Sequence, residues 1–256
     1  MSQAPHGCDV DDEGMSHDDS AIYDALIRRR EAIAAFGLIG AGAVLLGKPG
    51  GLALGTPEAA AAGACSLDPE VTEGPYWIDD NLTRRDIRED RKGLLLRLSL
   101  TVVSATSCKA IKGADVEIWH ADASGLYSGF GSSPSHGATN SKRYLRGHQR
   151  SDANGRLSFL TIYPGWYRGR TPHIHVKVHI GVNTVHTGQL FFKDSTSDRV
   201  YATSHYRSHG QPDTTNAADS IYKQAGGSAA LVSLKRRSST SLAKGFNGSA
   251  VLAVKP

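Results

Sequence analysis

From His173 to Ile180 the chain alternates polar and apolar residues without a break, reading His-Ile-His-Val-Lys-Val-His-Ile. Such alternation fits an extended strand with one face on a core, because successive side chains of a strand point to opposite faces. Residues 94–103 follow the same period, with leucines set against Ser99 and Thr101. Further short apolar runs at 114–119, 156–163, 185–192, 230–234 and 250–254 are separated by glycine-containing turns. Short strands with little helix predict an all-β fold, a β-sandwich. The stretches 128–147 and 194–220 are polar and without period. Both are expected to be loops, the second offering Arg199, Tyr201 and His205 to a rim. His136, His148, His205 and His209, in and beside these loops, are expected to be solvated.

The alternation puts His173, His175, Lys177 and His179 on one face, so His173 and His175 can reach a single ion. Pro172, which has no N–H for a ladder bond, places the pair at the start of a strand or on an edge. A solvated polar face explains alternating histidines equally well, and His179 rivals the other two as a ligand. Tyr163 and Tyr167 both flank the Pro164-Gly165 turn just upstream, and the spacing does not choose between them.

Upstream stands Gly-Ala-Asp-Val-Glu-Ile-Trp-His-Ala-Asp-Ala-Ser-Gly-Leu-Tyr-Ser, residues 113–128. Together with Tyr163-Pro164-Gly165-Trp166-Tyr167 and Arg170-Thr171-Pro172-His173-Ile174-His175, it resembles the intradiol ring-cleavage dioxygenases, most of all their exported branch. The resemblance runs from about Cys65 to the C-terminus and implies a β-sandwich with a non-haem iron(III) site at one edge. It implies Tyr127, Tyr167, His173 and His175 as ligands, with Tyr167 and His175 axial and Tyr167 leaving as substrate binds. Two hard phenolate oxygens with two imidazoles suit iron(III) better than zinc or copper(I). By the same resemblance Arg170 stabilises negative charge on the substrate ring, its guanidinium being fixed in charge and shape. Gln189 matches a glutamine near the iron, and Gly74, Pro75 and Tyr76 match one wall of the catechol pocket. Trp119 and the His120-Ala121-Asp122 turn are read as structural. The link from Tyr167 to His173 is short for the family, so the pocket rim is expected to differ.

The N-terminal 64 residues read as an export leader. Arg28-Arg29-Arg30 precedes fifteen uncharged residues, 32–46, too few for the ~20 of a membrane-spanning helix. Paired arginines and a glycine-rich apolar region fit twin-arginine export, although Ala32 stands where a phenylalanine is usual. Small residues at 59–64 offer cleavage sites, leaving one domain over residues 65–256. Of the 3 cysteines Cys8 falls in the leader, so Cys65 and Cys108 remain as an expected disulfide in an oxidising compartment. A rival reading makes Ala62-Gly63-Ala64-Cys65 a lipobox with a lipidated cysteine.

A net charge of +4 with no basic aromatic patch gives no sign of a nucleic-acid partner. The expectation is therefore an exported iron(III) enzyme acting on a catechol-type substrate and O2, its oligomeric state left open. The alternative is a secreted β-sandwich binding module that kept the fold without the chemistry. A zinc hydrolase would want a carboxylate base beside its histidines, and no such signature is present.

Overall fold

A computed structural model describes residues 66–130 and 140–256. The leader, Cys8, Cys65 and His136 lie outside the described residues. Among the described residues eight strands form two four-stranded sheets, β4-β1-β8-β7 and β3-β2-β5-β6. In the first, β1 (Leu95–Ser104) pairs antiparallel with β4 (Arg156–Ile162) and parallel with β8 (Phe246–Val254), which also pairs with β7 (Ser233–Arg236). In the second, β2 (Asp115–Trp119) lies between β3 (Arg146–Arg150) and β5 (His173–Ile180), and β6 (Asn183–Phe191) closes the far edge.

The core between the sheets is made by the alternating apolar residues. Leu96, Leu98 and Leu100 of β1 are fully buried beside Val116 and Ile118 of β2 and Ile174, Val176 and Val178 of β5. Each such side chain contributes about 1.5–3 kcal/mol relative to exposure. The expected β-sandwich is thus what forms, and β5 begins at His173 directly after Pro172. It is an inner strand, however, not an edge.

The outer face of the second sheet is the one that matters for chemistry. In an open antiparallel sheet that face meets water, whereas here residues 71–87 cross it. Val71 N–H donates to Thr187 O at 3.0 Å, Arg84 N–H to His148 O at 3.1 Å and His148 N–H to Leu82 O at 2.8 Å. That cover explains why His173, His175, Lys177, Glu117 and Gln189 are all buried although they point away from the core.

Two predicted loops contain regular structure. Residues 194–201 form helix α1 (Asp194–Tyr201), held by burial of Val200 and Tyr201, and α2 (Ser220–Gln224) starts at an Asp219 cap. Tyr201 is therefore core, its hydroxyl donating to Pro164 O at 2.8 Å, and does not serve a rim. The 128–147 stretch ends in β3, so His148 is a buried strand residue, not a solvated one. Its Nε2 lies 3.2 Å from Glu117 Oε2 and its Nδ1 3.3 Å from Asp115 Oδ1. Burial opposes its charge, but these carboxylates outweigh burial and raise its pKa. Among the described residues no helix is long and apolar enough to cross a membrane.

Candidate metal centre

Strand register assembles the first part of the site. Trp119 on β2 and Gln189 on β6 pair with His175 from opposite sides, and Phe191 pairs with His173. The two histidines sit on one face with Nε2 atoms 3.1 Å apart. Each ring is held separately. His173 Nδ1–H donates to Thr171 O at 2.7 Å, which leaves Nε2 as the lone-pair nitrogen. His175 lies under the Trp119 indole, with ring centroids 4.8 Å apart and planes within 7°. Its Nδ1 is buried with no hydrogen-bond partner among the described residues. Burial, followed by the Arg170 charge, brings His173 down to about 3, and burial with the His173 charge holds His175 well below the ordinary imidazole range. Both imidazoles are thus neutral at moderate pH, the form in which a histidine can bind a metal.

Tyr127 comes from a different part of the chain, a turn organised by Asp122. The Asp122 carboxylate accepts from Ser124 N at 2.9 Å and Leu126 N at 3.2 Å, and Gly125 takes φ 81°. This delivers the Tyr127 hydroxyl to 3.1 Å from His175 Nε2 and 3.4 Å from His173 Nε2. Three donor atoms therefore converge on one point. Ligands about 2.0–2.1 Å from a shared ion stand about 3 Å apart when they are neighbours, so the spacing fits a metal. Among the described residues no three His, Cys, Asp or Glu side chains cluster as a metal site. An ion at this point would therefore depend on tyrosine oxygen, the hard donor that favours iron(III).

Tyr167 borders the cluster, its ring 5.5 Å from His173 and 5.9 Å from Tyr127. Its hydroxyl receives a bond from Arg170 Nη1 at 3.3 Å. The rivals left open by spacing are drawn elsewhere. Tyr163 is fully buried with its hydroxyl 2.8 Å from Ser197 Oγ, and His179 Nε2 lies 3.5 Å from Glu117 Oε1. Tyr76 stacks on Tyr127 at 4.2 Å with planes within 7° and meets Tyr167 edge-on at 5.6 Å. Pro75 and Tyr76 form a turn that Gly74 enters at φ 73°.

Arg170 is fixed by three partners in addition to its charge. Its Nε donates to Asp219 Oδ2 at 2.8 Å, its Nη2 to Gln189 Oε1 at 2.6 Å and its Nη1 to Tyr167. Asp219 also accepts from Thr171 N and caps α2 through Ile221 N and Tyr222 N. Burial would raise the Asp219 carboxyl, but the Arg170 charge and hydrogen bond bring it below its ordinary value. Sequence reasoning missed Asp219. An aspartate before Ser-Ile-Tyr is a legible helix cap, but nothing in the sequence joins it to an arginine 49 residues away. Trp119, read as structural, turns out to orient a ligand candidate. The reading of His120 as structural agrees with its place: Nδ1 bonds Ala121 O and Nε2 bonds Thr161 Oγ1, with burial lowering its pKa to about 4.

The turns that carry the two tyrosines abut at Gly165. A Cβ there would stand 1.8 Å from Asp122 O and 2.8 Å from Gly125 N. Gly165→Ala is therefore expected to destabilise the fold by about 3 kcal/mol and, by moving Tyr127, to weaken the hold on any metal bound at the cluster. Chemical denaturation followed by iron analysis checks both.

A family model described as dioxygenase matches residues 69–208, more than half the chain. An intradiol ring-cleavage dioxygenase from Tetranychus urticae has 38% sequence identity, with a TM-score of 0.68 over 75% of this chain and 96% of that one. The dioxygenase domain of a dioxygenase carbohydrate-binding fusion from Streptomyces sp. SirexAA-E has 28% identity and a TM-score of 0.53, covering 73% of this chain and 97% of that one. Catechol 1,2-dioxygenase of Acinetobacter baylyi is 33% identical over 115 residues, 43% of this chain but only 35% of that enzyme. The alignment thus spans about a third of that curated relative's length. Sequence and backbone together place the chain in the intradiol ring-cleavage dioxygenase family.

Proposed function

We propose that the protein is an exported iron(III) enzyme that opens a catechol ring between its two hydroxylated carbons. Both atoms of O2 enter the product, a muconate-type diacid. The observation that carries this reading is the convergence of Tyr127 Oη, His173 Nε2 and His175 Nε2 on one point. Tyr127, Tyr167, His173 and His175 would hold the metal, which supplies Lewis acidity toward a catecholate and one-electron exchange with it. The protein's own part is positioning and charge. Arg170, pinned by Asp219 and Gln189, holds a guanidinium beside the Tyr167 oxygen, where negative charge on a phenolate or a catecholate is favoured. Tyr76, stacked on Tyr127, would with Gly74 and Pro75 wall the substrate on the Tyr127 side. Burial of both histidines keeps water away from the reacting ring.

The purified holoprotein is expected to be red-brown, from phenolate-to-iron charge transfer, and Tyr127→Phe to weaken that band together with iron retention. Metal analysis and a visible spectrum test this. A colourless protein carrying stoichiometric zinc would overturn the reading.

Export by the twin-arginine route and a Cys65–Cys108 bridge belong to the same proposal. Cys108 sits in the turn after β1, at φ 58° with its N–H on Ser104 O. A bridge there would tether the N-terminal arm to the first sheet, contributing about 2–4 kcal/mol. Non-reducing peptide mapping of secreted protein should find it. Acylated Cys65, or two free thiols, would contradict it.

A further inference from the structure

The turn that carries Tyr76 is gripped from behind by residues that have no place in the donor cluster. Next to the Trp119–His175 pair on the sheet's outer face stands the Glu117–Lys177 pair. Glu117 is 5% exposed and accepts from Trp77 Nε1 at 2.8 Å. Lys177 is 6% exposed, its Nζ 3.5 Å from the Trp77 ring centroid and 2.7 Å from Glu73 Oε2. At the other end of the turn Gln189 Nε2 donates to Thr72 O at 3.1 Å. The segment from Thr72 to Trp77 is thus tied down at both ends.

A buried lysine and a buried glutamate are costly unless paired, so a sheet that places them here must gain from holding the segment. Desolvated cation–π contacts and charge-assisted hydrogen bonds are both stronger than their exposed or neutral counterparts. Between the ties, Tyr76 lies flat on Tyr127 and edge-on to Tyr167. With its ends fixed, a turn this short has little freedom to move that ring.

We infer that Trp77, Glu117 and Lys177 act as positioning residues, forming a clamp that sets the height of Tyr76 over Tyr127 and thereby the room a substituted catechol would have beside the donor cluster. The inference rests on the function proposed above for its substrate, but the clamp itself is a property of the fold.

The test uses the iron-loaded full protein with Lys177→Met, Trp77→Phe and Lys177→Arg, assayed on catechol and on the bulkier 4-methylcatechol. Amide hydrogen exchange of the peptide 70–79 is followed in the iron-free form. Lys177→Met should raise KM for catechol about tenfold, equivalent to ~1.4 kcal/mol of binding, with kcat within about twofold. It should narrow the kcat/KM ratio between the two substrates and speed exchange in peptide 70–79. Trp77→Phe keeps the ring beneath Lys177 and loses only the N–H, so it should shift KM less. Lys177→Arg, which keeps a cation over the ring, should restore KM. The clamp is refuted if folded, iron-loaded Lys177→Met and Trp77→Phe both keep the wild-type KM and substrate ratio. It is refuted equally if KM and kcat change only in step with lost iron. Should Lys177→Met fail to fold, Trp77→Phe should still raise KM and speed exchange in peptide 70–79 relative to Lys177→Arg, and equal values in the two would refute the clamp. If the wild type turns over neither catechol, the functional reading fails, and exchange in the iron-free variants still decides whether the clamp exists.

Discussion

His175→Ala is expected to lose iron and catechol turnover together, with iron affinity falling by more than 100-fold. Removing a partner that merely orients a ligand typically costs about 10–100-fold in metal affinity, and this change removes a donor atom itself. The loss is not repaired locally. His173 Nε2 and Tyr127 Oη would remain 3.4 Å apart with Tyr167 beside them, one nitrogen donor short, and the Trp119 indole would face a gap where the imidazole stacked. His173→Ala should behave alike. His179→Ala is the discriminating control, because it lies on the same face of β5 but its Nε2 faces Glu117. It should keep the full charge-transfer band and iron content. Inductively coupled plasma analysis and visible spectra on the same preparations make the comparison.

Arg170→Ala should separate the two properties, lowering kcat on the order of 10²-fold while leaving iron content near that of the wild type. Loss of one preorganised donor facing developing charge typically has an effect of that size. Arg170 is 4% exposed, and its guanidinium is aimed by Asp219 and Gln189. The charge alone is therefore not enough. Arg170→Lys, which keeps charge but cannot bond Asp219, Gln189 and Tyr167 at once, should recover little activity. Asp219→Asn should fall between wild type and Arg170→Ala, because the N-cap acceptor survives while the charged partner of Arg170 is lost. Full turnover by Arg170→Ala on every catechol the wild type cleaves would remove Arg170 from the mechanism, whatever the metal proves to be.

The strands were legible where the alternation was strong. The period-2 run of β5 gave both the strand and the shared face of His173 and His175, and residues 185–192 supplied the neighbouring strand that brings Gln189 beside His175. What the period could not supply was the choice of tyrosine. Tyr163 and Tyr167 flank the same turn, and only packing against Phe192 and Ser197 draws Tyr163 into the core. The strand β3 was hidden because Arg-Gly-His-Gln-Arg has no apolar residue to mark a face. Its Arg146 is buried by bonds to Ser128 Oγ and O, and its His148 by Glu117 and Asp115. Helix α1 was hidden for a related reason. Asp-Ser-Thr-Ser-Asp is a poor helix former, and the turn is stabilised by burial of Val200 and Tyr201 rather than by propensity. Asp219 and the Trp77–Lys177 contact join residues far apart in the chain, so they emerge only once the sheet register is known.

Intradiol cleavage is read most plainly from the isotopic mass of the product formed from catechol under 18O2. Intradiol cleavage gives a ring-opened diacid with both 18O atoms, formed with one O2 consumed per catechol and only by protein that shows the charge-transfer band. An aldehyde-bearing product, from cleavage beside rather than between the hydroxylated carbons, would contradict it. So would a product with no label, or no oxygen uptake on any catechol by iron-replete protein.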